Sequence, residues 1–440
     1  MPDPSLDARR LPPSLWAATA PPPPATPPLP AGEHHAELAI VGGGFTGLAA
    51  ALHAAGRGAD VCVLEAAEPG FGASGRNNGQ VIPTLTRADP DILVQAFGPE
   101  HGETLVALLR DSADTLFGLV RRHGIACEAV QNGWVQPAHR ESRLALSRSR
   151  VAQWQRRGAP ARLLDRDEVA AMTGSSFWCG GWTNTSGGHV NPLALARGLA
   201  RAALAAGARV HAQTAVTGLA RDGDGWRLAT AAGSLRAQRV LLATHGYSGF
   251  LAPSPLPGLP GTMVLVRSYQ AATQPLPAAL RATVLPGNAS MSDTQADLHF
   301  ARLDASGRLV SGAALAMHLG YDGRLRQRIA ARLLKLYPQL AALGGITLSH
   351  LWHGVFAATP DKLPRFHRYD DGMIGWVGCN GRGVAFGTAL GAPLVDALLD
   401  GGAAARRLPF EAPRTIPGHR FASLGVRAAT LYYRWRDGRD

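Results

Sequence analysis

Between Leu38 and Glu65 the chain runs through apolar strand, glycine turn, helical pattern, second apolar strand and acid, and no other stretch restricts the fold as much. Leu38, Ala39, Ile40 and Val41 form a short apolar run of the kind buried in a parallel sheet. Gly42, Gly43, Gly44, Phe45, Thr46 and Gly47 follow, and then apolar positions at Leu48, Leu52 and Ala55. Gly56 and Gly58 end the helix. Val61, Cys62, Val63 and Leu64 supply the second strand, closed by Glu65. Gly42 permits a tight turn, Gly44 lets the backbone approach a pyrophosphate, and Gly47 lets helix and strand pack closely. The helix start, with Phe45 and Thr46 in its first turn, offers amide groups and a favourable dipole to phosphate. Glu65 is placed to hydrogen-bond adenosine ribose hydroxyls, which argues against the 2′-phosphate of NADP. The motif leaves NAD and FAD open.

The next segment decides between them. Gly72, Ala73, Ser74, Gly75, Arg76, Asn77, Asn78, Gly79 and Gln80 form a run of small residues and hydrogen-bond donors. Small residues let a backbone come close to a ligand, and the side chains of Ser74, Arg76, Asn77 and Asn78 suit phosphate and flavin polar atoms. This run resembles the D-amino-acid oxidase-like flavoproteins, and among them the γ-glutamylputrescine oxidoreductase-like members. Three later segments extend the resemblance. Gly187 to Pro192 precede a helix from about Leu193 to Ala206, a strand at Ala208–His211, and Val216, where the family commonly places a residue against adenine. Val240 to Tyr247 is a buried strand ending in Ala243, Thr244, His245 and Gly246, close to the cofactor in such flavoproteins. Val377 to Ala385 runs from a strand into a helix ending near Leu399, with Gly381, Arg382, Gly383 and Val384 at its start. In the family that helix aims its N-terminus at the flavin ring.

The resemblance covers about residues 14–400 and implies an α/β fold. It is an FAD-binding Rossmann-like domain of the glutathione-reductase type, carrying an inserted antiparallel β-sheet substrate domain. Helical spacing over 94–123, 141–157 and 166–172 and two-residue periodicity between Thr262 and Leu315 fill in the second part. The strand signals there are Val264 and Val266, then Ala282 and Val284, Leu298 and Phe300, and Leu309 and Val310, with a helix at 322–337. The expected division is a leader over 1–33, a discontinuous FAD-binding domain over 34–90, 160–255 and 345–405, a substrate domain over 91–159 and 256–344, and a C-terminal extension over 406–440. The leader is proline-rich, with four consecutive prolines at 21–24. It favours extended polyproline II and reads either as a loose tail or as a strap held by Leu15 and Trp16.

The net charge of +12 raises the question of nucleic acid. Only Lys335 and Lys362 are lysines, and the arginines are scattered in ones and twos rather than in a dense run. No nucleic-acid partner is therefore expected, and no transmembrane segment is visible. The four cysteines, Cys62, Cys127, Cys179 and Cys379, lack zinc or redox spacing, and reduced thiols in a cytoplasmic protein are the expectation, with no metal.

The implied activity is oxidation of the C–N bond of a small amine or amino acid by hydride transfer to the flavin, giving an imine that hydrolyses. Oxygen or another acceptor would take the electrons onward. Sarcosine oxidase-like members hold their flavin through a cysteine before a Thr-Pro-Asp segment. The stretch Trp352 to Asp361 holds Thr359, Pro360 and Asp361 but no cysteine, so FAD is expected to be non-covalent. Arg382 is the leading candidate to bind a substrate carboxylate or stabilise flavin charge, ahead of Arg76 and Arg302. His245 is the candidate to assist proton removal or to hydrogen-bond, with His189 and His353 behind it, and Trp352 is a candidate aromatic wall. The competing readings are a flavin-dependent monooxygenase, a tRNA-modifying flavoenzyme, and a flavin-binding subunit without catalysis.

Overall fold

A computed structural model describes residues 10–250, 258–315 and 321–439. The first apolar runs become neighbouring strands at the centre of a nine-stranded sheet. Strand Gly32–Val41 pairs in parallel with Val61–Leu64 on one side and with Gly233–Leu242 on the other. Arg209–His211 continues the parallel array beyond Val61–Leu64, and Met373–Val377 continues it beyond Gly233–Leu242. Strand Arg365–Asp370 then turns antiparallel. Leu38, Ala39 and Ile40 are fully buried, Leu38 and Ile40 on the face that carries helix residues such as Leu48 and Leu195, and Ala39 on the face covered by Trp226 and Leu228 of strand Gly225–Ala229. Helix Phe45–Gly56 lies between helices Pro192–Ala205 and Gly391–Leu399. A Cβ on Gly391 would come within 2.6 Å of the Ala50 amide nitrogen, so glycine sets how closely those two helices approach.

The second sheet has eight strands, in the order Leu348–Ala358, Val264–Pro275, Arg308–Ala313, Phe300–Leu303, Ser290–Ser292, Trp134–Pro137, Gly181–Asn184 and Ala161–Leu164. Its pairings are antiparallel except that Ser290–Ser292 runs parallel to Trp134–Pro137. Helix Tyr321–Leu336 covers it with Leu325, Ile329, Leu333 and Leu336, all fully buried and on one helical stripe.

Sheet membership departs from the expected division in two places. Strands Ala161–Leu164 and Gly181–Asn184, inside the segment assigned to the FAD-binding domain, belong to the second sheet. So does Leu348–Ala358, which pairs with strand Val264–Pro275 from Val264 to Thr273. Ladder partners far apart in sequence decide membership, and local composition carries no trace of them. The alternation at Ala282 and Val284 is not a strand either. Pro277 precedes a short helix, Ala278–Arg281, and the strand forms later at Ser290–Ser292. The helix expected over 94–123 begins earlier, at Pro90, and is kinked where Gly98 (φ +78°) precedes Pro99.

Of the two readings of the leader, the described part is a strap. Ser14 caps helix Leu15–Thr19, and Leu15 and Trp16 are fully buried. The prolines then run along helix Pro192–Ala205, where Arg197 Nη1 donates to the Pro21 carbonyl at 2.7 Å. The Leu29 amide donates to Thr214 Oγ1 at 3.0 Å, fastening the strap to the far side of the first sheet.

Candidate cofactor cleft and its supporting loop

A cleft opens where Gly42 and Gly44 meet Glu65, Ser74, Val216 and Thr244. Gly42 has φ +109°, and a Cβ there would sit 2.9 Å from the Ala243 carbonyl oxygen. A Cβ on Gly47 would stand 2.0 Å from the Gly42 carbonyl oxygen, so the turn closes only around glycine. Gly44 is the N-cap of helix Phe45–Gly56, which has no capping side chain and no acid in its first turn. Ser74 Oγ accepts the Phe45 N–H at 3.0 Å. A helix N-terminus with glycine at its cap position and no acid in its first turn is a site where an anion is stabilised rather than repelled.

Glu65 holds the turn from the other side. Its two carboxylate oxygens accept the Gly43 N–H at 2.6 Å and the Ala67 N–H at 2.8 Å. Burial pushes its pKa up, and the two amides oppose that push. Val216 lies beside it, because the Thr214 amide donates to the Glu65 carbonyl at 2.8 Å. Ala73, Ala243 and His245 line the same cleft. Phe45 is buried in the core below. Thr46 donates to the Gly387 carbonyl at 2.7 Å and accepts from Trp376 Nε1 at 3.1 Å, which ties the glycine-loop helix to the C-terminal helices.

The loop at 72–79 is folded largely by its own side chains. Asn77 Nδ2 donates to the carbonyls of Ala73 and Ser74, and its Oδ1 accepts the Gly79 N–H at 2.7 Å. Asn78 Nδ2 donates to Gln270 Oε1 of the second sheet at 3.2 Å. Arg76 is turned back on Phe71, donating from Nε to the Phe71 carbonyl with the guanidinium 4.5 Å from the ring centre. Gly79 has φ +86° and leaves 2.1 Å between a would-be Cβ and the Val190 carbonyl oxygen. The carbonyls of Arg76, Asn77 and Asn78 each receive a hydrogen bond, from Trp352 Nε1 at 2.9 Å, Trp16 Nε1 at 2.8 Å and Arg302 Nε at 2.7 Å.

The three expected catalytic residues fall in different settings. His245 has φ +46° and lines the cleft. Its Nε2 accepts the Cys379 N–H at 3.2 Å, and burial lowers its pKa to about 4, so the ring is neutral at pH 7. Trp352 is buried and points its N–H at the Arg76 carbonyl. Arg382 precedes helix Gly383–Ala389, where Gly381 has φ +87° and Val384 is buried. It donates to the Leu85 carbonyl at 2.9 Å and to the Thr84 hydroxyl, and stacks over Trp134 at 4.7 Å. Burial lowers its pKa to about 9. Gly383 leaves room for Cys379, 3.0 Å from a would-be Cβ.

Sequence reading did not single out Phe71, Thr214 and Tyr247, which also line the cleft. Tyr247 accepts the Val355 N–H through its hydroxyl at 3.3 Å, linking the two sheets. Its place two residues after His245, in the segment after the buried strand, was the available signal. Among the described residues no cluster of His, Cys, Asp or Glu could hold a metal, and all four cysteines are free. No described helix is long and apolar enough to cross a membrane.

Residues 37–397 match the family model described as FAD dependent oxidoreductase, DAO. The chain belongs to the DAO family. It is thus an FAD-dependent oxidoreductase. Gamma-glutamylputrescine oxidoreductase of Escherichia coli is 31% identical over 91% of this chain and 92% of its own. A probable oxidoreductase, OrdL, of Rhizobium meliloti is 30% identical over 96% of this chain and 97% of its own. Among solved structures, L-proline dehydrogenase from P. horikoshii superposes with a TM-score of 0.71 at 18% identity, covering 87% of this chain and 98% of that one. Glycine oxidase from Geobacillus kaustophilus gives 0.66 at 22% identity, over 83% and 95%. Both show that the DAO fold is shared. The cleft fits the cofactor on its own terms, since its glycine turn leaves no space for a Cβ and no acid stands in the first turn of its helix.

Proposed function

We propose that this DAO-family chain oxidises the C–N bond of a small amine or amino acid, of the γ-glutamylputrescine or glycine and sarcosine kind, to an imine that water then hydrolyses. The observation that carries the reading is the end-to-end similarity to gamma-glutamylputrescine oxidoreductase, at 31% identity. Bound FAD would supply the two-electron acceptor. Gly42 to Gly47 would hold its pyrophosphate, Glu65 and Val216 its adenosine, and Ala73 to Gly79 the remainder, with Ala243, Thr244 and the 381–384 turn beside it.

The chain's own residues have limited tasks. The loop carbonyls at 76–78 are pinned, so the loop is preorganised rather than shaped on binding. His245 is neutral and its Nε2 lone pair is committed to the Cys379 amide, which makes it a positioning residue rather than the base for a substrate ammonium. Arg382 holds the 84–85 segment against the turn before the last helices, from where its charge favours an anionic partner.

FAD is held without a covalent bond in this reading. Burial raises the Cys379 thiol to about 11, which keeps it from acting as a thiolate. Four free thiols support a cytoplasmic setting. Many arginines are taken up in ion pairs, as Arg57 with Asp396 and Arg157 with Glu103, which supports a small substrate over a nucleic acid. The test is anaerobic addition of polyamines, γ-glutamylated amines and amino acids to the flavin-loaded protein. Bleaching of the flavin by one of these classes is expected. Bleaching by NADH alone would overturn the proposal in favour of a monooxygenase.

A further inference from the structure

The last described helix is Ala422–Arg439, and its exposed face is the apolar one. Phe421 is 55% exposed, Leu424 58%, Leu431 57%, Tyr432 53% and Trp435 54%. At 3.6 residues per turn these positions fall on one stripe. The opposite face is the docked one. Val426, Ala429 and Tyr433 are half-buried, the Tyr433 ring lies 5.0 Å from the Arg87 guanidinium, and helix and strand Val264–Pro275 are in contact. The preceding turn is fastened by the Ile416 amide on the Gly261 carbonyl at 2.9 Å and by His419 Nε2, 2.9 Å from the Met263 carbonyl. The helix is therefore held to the body by its less apolar side, with two leucines and three aromatic rings turned outward.

Charge says what covers the stripe. Between residues 412 and 439 the sequence holds six arginines, at 414, 420, 427, 434, 436 and 439, and one acid, Asp437. By helical angle Arg427 falls on one border of the stripe and Arg436 on the other. A stripe of leucine and aromatic side chains bordered by arginines, on a helix too polar to cross a bilayer, has the composition of an interfacial helix. A second copy of the same helix would bring like charge against like charge in any two-fold contact.

We infer that this helix docks the enzyme on an anionic lipid surface, with Phe421, Leu424, Leu431, Tyr432 and Trp435 entering the headgroup boundary and the exposed Arg414, Arg420 and Arg427 facing lipid phosphates. The seat of the helix on Arg87 and on strand Val264–Pro275 places that surface against segments that continue into Thr84 and Gln270, which support the candidate site. The inference does not depend on which amine is oxidised.

The experiment sediments full-length, flavin-loaded protein with vesicles of phosphatidylcholine alone or of equal parts phosphatidylcholine and phosphatidylglycerol. We expect binding to the anionic vesicles at least ~10-fold tighter than to the neutral ones, weakening as salt is raised. The double substitution Leu431→Asp and Trp435→Asp alters two exposed positions, so flavin content and turnover are expected to stay unchanged while vesicle binding falls ~10-fold or more. Wild-type protein left in the supernatant with anionic vesicles would overturn the inference. So would a double variant that sediments like wild type, or one that turns a lipid-free dimer into a monomer by light scattering.

Discussion

The indole N–H of Trp16 donates to the backbone carbonyl of Asn77 at 2.8 Å, joining the N-terminal strap to the loop proposed to lie along the flavin. Trp352 does the same for the neighbouring carbonyl of Arg76, and the two indoles meet edge to face at 5.7 Å. Arg302 stacks on Trp16 at 4.6 Å and takes the next carbonyl, that of Asn78. Three side chains from three distant parts of the chain thus fix three successive peptide groups.

Trp16→Phe keeps most of the ring and removes the donor, leaving the Asn77 carbonyl without that bond. A loss of about 1 kcal/mol is expected, read as a roughly five-fold rise in the Kd for FAD by fluorescence titration of stripped protein. Trp16→Ala should also unfold at a clearly lower temperature, since truncating a fully buried tryptophan costs about 3–5 kcal/mol. Unchanged FAD affinity in both variants would show that the strap does not support the loop.

Arg302 is fully buried and also donates to the carbonyls of Val190 and Leu303. Arg302→Met strands those acceptors and is expected to lower stability by about 3 kcal/mol. Arg302→Lys keeps a charge but not the planar fork, so it should recover little of the loss. Urea denaturation of the three proteins compares them, and a lysine variant as stable as wild type would contradict the geometry.

Three histidines give stability a defined pH dependence. Burial lowers His189 to about 3, with Arg302 adding to the shift, and lowers His245 and His367 to about 4, from an ordinary 6.5. Below 6.5 the unfolded chain takes up protons that the folded chain refuses, so stability is full above that value and falls as pH drops toward 4. His189→Gln should flatten this acid slope when urea midpoints are compared across the window. A slope identical to wild type would show that His189 does not contribute.

Acid precipitation of the protein should leave the FAD in the supernatant, and Cys379→Ala should hold as much flavin as wild type. Colour retained in the washed pellet would show a covalent link.

The glycine turn was legible because its demands are local: a φ of +109° at Gly42 and the close approach at Gly47 belong to residue type and spacing. The strap was half legible, since Leu15 and Trp16 stood out as apolar residues in a proline-rich run. Their partners, Asn77 and Trp352, lie 61 and 336 residues from Trp16, and no periodicity records them. The same limit hid the second sheet, where Trp134–Pro137 joins Gly181–Asn184 and Ser290–Ser292. Arg382 was picked for its place before a helix, but its bonds to Thr84 and Leu85 depend on a turn that only the folded chain shows.

The most direct measurement is the visible spectrum of purified wild-type protein beside that of Gly44→Asp. A side chain at Gly44 would crowd Ser74 at 2.9 Å and place a carboxylate at the anion-favouring helix start. The expected result is a flavin spectrum for wild type and a colourless variant that melts with flavin-stripped wild type. Colourless wild type that FAD cannot reconstitute, or a variant with normal flavin content, would contradict the assignment of the cleft.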